Sequence, residues 1–142
     1  MIITDVNLLV YAHNSGVSEH ESARRWWERT VNGAEPVGLA WAVVLGFVRL
    51  LSSPAVAARP QPPERLLRAV EAILAAPAVR LVAPGPRHPA LMRDLFVASG
   101  AGSRLVTDVH LAALALELDA TLASNDADFS RFSGLRWVNP LL

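Results

Sequence analysis

The sequence predicts an α/β domain in which helices cover both faces of a parallel sheet. Short apolar strands alternate with helical segments along the whole chain, which is the pattern of βαβ units. Proline and glycine residues separate these segments at positions typical of helix starts and stops. A chain of 142 residues suits one domain with a substantial core, and no internal repeat or linker divides it. We therefore expect a single domain over residues 1–142.

The composition excludes several classes of protein. Hydrophobic residues make up 52% of the chain and charged residues 18%, which disfavours disorder. Thirteen basic residues, all Arg, balance 13 acidic ones, so a general polyanion binder is disfavoured although a local Arg patch is not. The absence of Cys excludes disulfides, thiolate metal sites and a Cys nucleophile. No secretory signal or membrane-spanning stretch is visible, so we expect a cytoplasmic protein without membrane contact.

The first half of the chain is predicted to contain two strands and three helices. In chain order the segments are the strand MIIT, the helix NLLVYAHN, the amphipathic helix SEHESARRWWERT, the strand EPVGLA and the mostly buried helix WAVVLGFVRLLSS. Ser18 and Glu21 have the spacing of a capping box at the start of the amphipathic helix. The neighbouring Trp26 and Trp27 are interpreted as core or interface residues rather than a base-stacking platform.

The second half continues the alternation after a Pro-rich loop at residues 54–63. In chain order the segments are the helix PPERLLRAVEAILAAP, the strand VRLVAP, the helix HPALMRDLFVASGAGS with a Gly-rich end, the helix in TDVHLAALALELD, the strand ATLAS and the short strand in LRWVNP. Thr107 or Asp108 is a candidate N-cap of the helix in TDVHLAALALELD.

Three acids are predicted to converge on one edge of the sheet. Asp5 follows the first strand, Asp126 follows the strand ATLAS, and Asp108 opens the helix that leads into that strand. In parallel α/β sheets, binding sites form outside the carboxyl ends of the strands, at the topological switch point. Carboxylates that share a cleft repel one another unless a cation neutralises them, and oxygen ligands alone suit Mg²⁺ or Mn²⁺. Hydrolysis of a phosphodiester is the chemistry that such a centre serves most directly.

Each of these acids also has a purely structural interpretation. Asp108 can be a helix cap with no further role, and Asp126 and Asp128 can be turn residues in SNDADF. Asp5 is the hardest to explain in this way, because it directly follows an apolar strand. A phosphatase or phosphoacceptor domain with Asp5 as nucleophile is disfavoured, since such domains generally use a Lys and this chain has none.

The histidines and two arginines near the acids leave alternatives open. The four histidines lack a spacing typical of metal ligands, and His110 is predicted to lie on a different helix face from Asp108, as a surface or packing residue. Arg49 and Arg104 flank the predicted site in sequence. Either can bind phosphate, but a solvated or ion-paired arginine is an equal alternative.

Three segments carry a resemblance to a known family. MIITDVNLLVYA, GLAWAVVLGFVRLLSSP and LVTDVHLAALALELDATLASNDADFSRFSGLRWVNP together resemble a PIN domain, and more narrowly the VapC toxins of VapBC toxin–antitoxin pairs. The resemblance implies a three-layer α/β/α sandwich around a parallel sheet. It also implies an Mg²⁺-dependent endoribonuclease, with Mn²⁺ as a possible substitute, that acts on RNA, forms a homodimer and is inhibited by a VapB-like antitoxin.

The resemblance also implies roles for individual residues. Asp5 and Asp108 match the usual Mg²⁺ ligands of the family, and Asp126 matches the acid that completes the cluster. The residues that match supporting positions are Asn7, Ser124 and Asp128.

One position departs from the family pattern. The family usually carries a Glu in its third helix, where this chain has Gly46. Loss of one carboxylate is expected to weaken metal binding, and it supports an alternative in which the chain is a catalytically silent module that binds RNA or an antitoxin. Arg49, three residues further along the helix, is then a candidate phosphate contact.

Overall fold

A computed structural model describes residues 1–142 and contains a five-stranded parallel sheet with six α-helices. The strands are β1 (Ile2–Thr4), β2 (Val37–Ala40), β3 (Val79–Val82), β4 (Thr121–Ala123) and β5 (Arg136–Val138). The helices are α1 (Val6–Ala12), α2 (His20–Val31), α3 (Trp41–Leu51), α4 (Pro63–Leu74), α5 (His88–Ser99) and α6 (Val106–Glu117). Two short 3₁₀ helices, Ser103–Leu105 and Ala127–Arg131, precede α6 and follow β4. Every predicted strand and helix is present.

The sheet has the order β3-β2-β1-β4-β5, so β1 lies at its centre. The chain builds outward from β1 to β3 and then crosses to the other side, where β4 pairs with β1. Because parallel crossovers are right-handed, reversal of this direction places the later helices on the opposite face. Consistent with this, α1 packs against α2 and α3, α3 packs against α4, and α5 packs against α6. The α/β sandwich predicted from the sequence is confirmed.

The core fills the space on both sides of the sheet. Ile3, Leu39 and Leu122 on the central strands are fully buried, and α6 contributes an almost continuous buried run from Leu111 to Ala115. Trp27 is buried and Trp26 is half-buried against the core, which confirms the packing interpretation of this pair. The longest helices have 12 residues, fewer than a helix needs to span a bilayer.

The start of α4 and the end of α5 lie where the sequence predicts them, whereas the predicted caps of α2 and α6 do not form. Pro63 begins α4, and Gly100, in the left-handed conformation with φ of 68°, ends α5. The predicted capping box is wrong: α2 begins at His20, its N-cap Glu19 makes no side-chain cap hydrogen bond, and Ser18 donates to the Glu19 carboxylate instead. The turn before α2 extends beyond Ser18, so this residue lies outside the cap position.

The predicted cap of α6 is also wrong. The 3₁₀ helix at Ser103–Leu105 runs directly into α6, which begins at Val106 with Leu105 as N-cap. Thr107 and Asp108 therefore lie within the first turn, and neither side chain caps the helix. The carboxylate of Asp108 is consequently free of a structural hydrogen bond and faces the edge of the sheet where Asp5 and Asp126 lie.

Candidate metal centre

Asp5 is the most deeply placed acid at the carboxyl edge of the sheet. It follows central strand β1 and is 4% exposed. Its Oδ1 accepts a hydrogen bond from the Val6 backbone N–H at 2.7 Å, which caps α1, and its Oδ2 accepts one from Ser124 Oγ at 2.7 Å. Burial raises the pKa of Asp5, the two hydrogen bonds oppose that rise, and the charge of Asp126 adds to it.

Ser124 connects the ends of the two strands that meet at the switch point. It follows β4, is fully buried, and donates to Asp5 while its Oγ accepts the Asp126 backbone N–H at 3.0 Å. The Trp137 indole N–H donates to its carbonyl oxygen at 3.0 Å. The hydroxyl thus fixes Asp5 and the turn that carries Asp126 relative to each other.

Asp126 and Asp128 lie on the turn after β4. Asp126 Oδ1 accepts the Asp128 backbone N–H at 2.9 Å and caps the 3₁₀ helix Ala127–Arg131, so the predicted turn role of Asp126 is confirmed. Its second carboxylate oxygen makes no hydrogen bond to protein. A structural role for one oxygen therefore leaves the other available for a ligand.

Asp108, Asp126 and Asp128 form a cluster in which one carboxylate oxygen of each lies within 4.8 Å of the others. All three side chains are half-buried. Burial, followed by the charges of Asp5, Asp126 and Asp128, raises the pKa of Asp108 to about 6, whereas Arg104 opposes this rise. Mutual repulsion of this kind is what a bound cation would relieve.

The structure thus brings together two of the three predicted ligands and adds Asp128. Asp5 lies outside the 4.8 Å cluster, yet its charge contributes to the raised pKa of Asp108, so it adjoins the cluster from the buried side. Asn7 is half-buried in the first turn of α1, and its amide makes no hydrogen bond. No histidine joins the cluster.

A groove beside the acids is lined by Gly46 and Arg49 of α3. It has a volume of about 380 Å³, and its remaining lining residues are Val6, Ala42, Leu45 and Thr107. Val6 follows Asp5 and Thr107 precedes Asp108, so the groove adjoins the acid cluster. Arg49 is exposed on its rim.

Gly46 allows α1 and α3 to approach each other closely. A Cβ added at this position would lie 2.9 Å from Val6 Cγ2, a distance that forces one of the two groups to move. The absence of a side chain here therefore serves helix packing and also leaves the groove open. No acid lines the groove in place of the Glu that the family pattern carries.

Two features near the centre were not predicted. Asp128 forms ion pairs with Arg104 at 3.4 Å and with Arg131 at 3.1 Å. The second pair has a sequence signal, because the two residues are three positions apart in a short helical turn. The first joins residues 24 positions apart and has none.

The second unpredicted feature is a buried polar cluster between α5 and α6. His88 Nε2 lies 2.9 Å from His110 Nδ1, and His88 Nδ1 lies 3.3 Å from the Glu117 carboxylate. Burial lowers the pKa of His110, and the proximity of His88 adds to this. The prediction that His110 lies on a different helix face from Asp108, as a surface or packing residue, is confirmed, since it packs against His88 and lies outside the acid cluster.

The sequence matches the PIN domain family over residues 2–135. The chain belongs to the PIN-domain family. Ribonuclease VapC33 of Mycobacterium tuberculosis is 43% identical over 141 residues, which cover 99% of each chain. Ribonuclease VapC37 of the same organism is 42% identical over 140 residues, covering 99% of this chain and 97% of the relative.

Solved structures agree with this assignment at the level of the fold. The VapBC2 structure from Rickettsia felis, bound to a DNA fragment from its promoter, superimposes with a TM-score of 0.70 at 18% identity and covers 98% of each chain. The PIN-domain match and the 43% identity to VapC33 confirm the resemblance to PIN domains and to VapC ribonucleases in particular. The acid cluster of this PIN domain lies at the switch point of the sheet, as the sequence predicts.

Proposed function

We propose that this PIN domain is a metal-dependent endoribonuclease, the toxin of a toxin–antitoxin pair, and that its acid cluster holds Mg²⁺. The main support is the convergence of Asp108, Asp126 and Asp128 within 4.8 Å at the switch point, in a chain 43% identical to a VapC ribonuclease. Asp5, buried next to them, completes a negative centre that a divalent cation would neutralise.

The residues present fit such a metal. The donors are carboxylate oxygens without His or Cys, the set that Mg²⁺ and Mn²⁺ prefer over softer metals. We propose Asp5, Asp108 and Asp126 as the residues that hold it. Both Asp5 oxygens already accept a hydrogen bond, but each carboxylate oxygen has a second lone pair. When bound, such a cation supplies charge neutralisation at a phosphoryl group and acidifies a water ligand.

The chain itself supplies binding and orientation. Ser124 holds the Asp5 carboxylate in one orientation by its hydrogen bond at 2.7 Å. Arg49, on the rim of the groove beside Gly46, is placed to contact a phosphate of an RNA strand that enters this groove. Because the net charge of the chain is zero, RNA binding must depend on such local arginines rather than on a general positive field.

The surface of α3 supports a protein partner. Trp41 and Leu45 lie one turn apart on this helix and are 54% and 63% exposed. Apolar side chains exposed side by side are typical of an interface. We propose that this face takes part in homodimer formation or receives a VapB-like antitoxin, in the cytoplasm, and that an antitoxin arginine can neutralise the acid cluster.

The proposal is tested by cleavage of a structured RNA pool with purified protein in Mg²⁺, Mn²⁺ or EDTA. Asp5→Asn and Asp126→Asn are expected to abolish cleavage, and Asp119→Asn, which removes an 89% exposed acid at the other end of the sheet, is expected to keep it. Cleavage that persists in EDTA or in both active-centre variants would contradict the proposal.

Gly46 favours one alternative, a silent RNA- or antitoxin-binding module, because the groove beside the centre lacks a carboxylate. A folded protein that binds RNA but does not cleave it with either metal would establish that alternative. Calorimetric titration with Mn²⁺ adds a second criterion, since a silent module is expected to bind the metal weakly.

A further inference from the structure

Two arginines from different elements meet at one carboxylate on the rim of the acid cluster. Arg104 lies in the 3₁₀ helix before α6, and Arg131 ends the 3₁₀ helix after β4. Arg104 Nη1 lies 3.4 Å from Asp128 Oδ2, and Arg131 Nη2 lies 3.1 Å from Asp128 Oδ1. Each guanidinium therefore contacts a different oxygen of the same carboxylate, which bridges them.

This arrangement leaves positive charge and hydrogen-bond donors unused. The two guanidinium groups carry one positive charge more than the Asp128 carboxylate between them, and Asp108 and Asp126 are the nearest further acids. Arg104 is 75% exposed and Arg131 is 37% exposed, and each guanidinium donates only one hydrogen bond to the protein, so both have donors left for a ligand. A guanidinium has five donors in a planar fork, and this fork matches the oxygens of a phosphate.

The pair lies directly beside the proposed metal centre. Asp128 itself belongs to the 4.8 Å cluster with Asp108 and Asp126, and the charge of Arg104 is close enough to Asp108 to oppose the rise of its pKa. Arg49 lies on the groove that adjoins the acids at Val6 and Thr107. The backbone of an RNA strand that passes over the acid cluster therefore lies close to these arginines.

We propose that Asp128 is a positioning residue that holds Arg104 and Arg131 as a clamp for the phosphates of a single-stranded RNA segment beside the metal centre. This inference rests on the proposed function and refines it. Both Asp128 oxygens are occupied by arginines, whereas Asp108 and Asp126 have no arginine partner, so the acids of the cluster divide between two tasks. Asp108 and Asp126 bind the cation, and Asp128 orders the two side chains that bind substrate.

The clamp is tested first by the salt dependence of RNA binding. Fluorescence anisotropy with a labelled single-stranded oligoribonucleotide is measured from low to high KCl, in EDTA so that metal-dependent cleavage does not occur. Removal of one phosphate-binding arginine should reduce the slope of log Kd against log[KCl] by about 0.7, so Arg104→Ala with Arg131→Ala should reduce it by about 1.4. The Kd of this double variant at low salt is expected to rise on the order of tenfold.

The direction in which Asp128→Ala changes the Kd for RNA distinguishes the clamp from a purely electrostatic effect. Loss of a negative charge next to a polyanion site should tighten RNA binding if only long-range electrostatics matter. The clamp predicts the opposite, a rise of Kd on the order of fivefold, because two mobile arginines lose side-chain entropy on binding. When Arg104 and Arg131 are already replaced by Ala, Asp128→Ala is expected to cause no rise of Kd.

The matched control is Asp119→Asn, which removes the charge of a similar ion pair, 2.8 Å from Arg136, beside the amino ends of β4 and β5. It is expected to leave Kd and the salt slope unchanged. With Mg²⁺, the arginine variants should raise KM for RNA cleavage more than they lower kcat, and they should retain Mn²⁺ binding in calorimetry.

The outcomes separate this inference from the function on which it rests. Tighter or unchanged RNA binding by Asp128→Ala, or an unchanged salt slope in the double arginine variant, would overturn the clamp while RNA cleavage by the wild type still stands. A wild-type protein that neither binds nor cleaves RNA would overturn both.

Discussion

At the scale of single residues, the hydroxyl of Ser124 determines how the buried acid is held. It donates to Asp5 and accepts from the Asp126 backbone, so a single oxygen atom serves two elements of the centre. Burial disfavours the charged form of Asp5, and this donor partly offsets that cost. The position of the acid at the end of β1 follows from the sequence, but its partner lies 119 residues away and follows only from the pairing of β1 with β4.

Ser124→Ala is expected to destabilise the protein by about 1–3 kcal/mol, because it leaves a buried carboxylate oxygen and a backbone N–H without partners. The loss should appear as a lower midpoint of urea unfolding with an unchanged slope. Ser130→Ala is the control, since this exposed hydroxyl only donates to the Ala127 carbonyl within its own turn. Equal stability of the two variants would show that the Ser124 bridge contributes nothing.

The charge of Asp108 is expected to destabilise the metal-free protein. The pKa of its carboxyl is about 6 in the folded protein against an ordinary value of 3.8, so the folded state holds this proton more tightly than the unfolded chain. Stability contributed by the protonated form is therefore lost as pH rises from 3.8 to about 6. Because the side chain is partly exposed, solvent screening reduces the effect to on the order of 1 kcal/mol.

Asp108→Asn should accordingly raise the Tm in EDTA at pH 7 and have little effect near pH 4, while abolishing the increase in Tm that Mg²⁺ is expected to give the wild type. Thermal unfolding across this pH range, with and without Mg²⁺, measures both effects. Asp94→Asn, at a position 72% exposed on α5, serves as the control and should show neither. A destabilised Asp108→Asn protein at pH 7 would contradict the repulsion on which the metal proposal depends.

At the scale of elements, the close approach of α1 and α3 shapes the groove beside the acids. Gly46 packs against Val6 in the first turn of α1, so the helix that follows Asp5 is held by a contact that only a residue without a side chain permits. Apolar runs, amphipathic spacing and Pro or Gly boundaries together predicted every strand and helix, because burial in the sheet or against it fixes these segments. The starts of α2 and α6 could not be predicted in the same way, since they depend on how an irregular turn leads into the helix.

Gly46→Glu places the family carboxylate in the groove but is expected to cost stability. The new Cβ would lie 2.9 Å from Val6 Cγ2, so α1 and α3 must separate or Val6 must change rotamer. Overpacking of this kind typically costs about 1–3 kcal/mol. Thermal unfolding measures the loss, and Gly102→Ala, where an added Cβ meets nothing within 4 Å, is the control.

Val6→Ala combined with Gly46→Glu should recover part of the lost stability, because the shorter side chain removes the close contact. The double variant also shows whether an additional carboxylate strengthens Mn²⁺ binding in calorimetry. Full stability of Gly46→Glu alone would mean that the contact between α1 and α3 is not limiting.

At the scale of the whole molecule, the order of the strands explains why acids distant in sequence meet. Asp5 and Asp126 follow β1 and β4, the two strands at which the sheet changes direction, and α6 returns to the same edge with Asp108 in its first turn. The alternation of strands and helices predicted this convergence. It did not predict the bridge of Asp128 to Arg104, because the rotation of a short 3₁₀ segment decides which side chains meet across a turn.

The exposed apolar face of α3 is expected to control assembly of the protein. A tryptophan that is 54% exposed gains burial only if another chain covers it, so Trp41→Glu should weaken self-association or antitoxin binding without loss of thermal stability. Light scattering coupled to size-exclusion chromatography over a range of protein concentrations measures the first, and titration with an antitoxin peptide measures the second. The control is Val97→Glu, at an 80% exposed position on α5, where no other large hydrophobic side chain is exposed. If Trp41→Glu and Val97→Glu both leave the mass and the peptide affinity of the wild type unchanged, the α3 face is not an interface, and the exposed Trp41 must be an isolated surface residue.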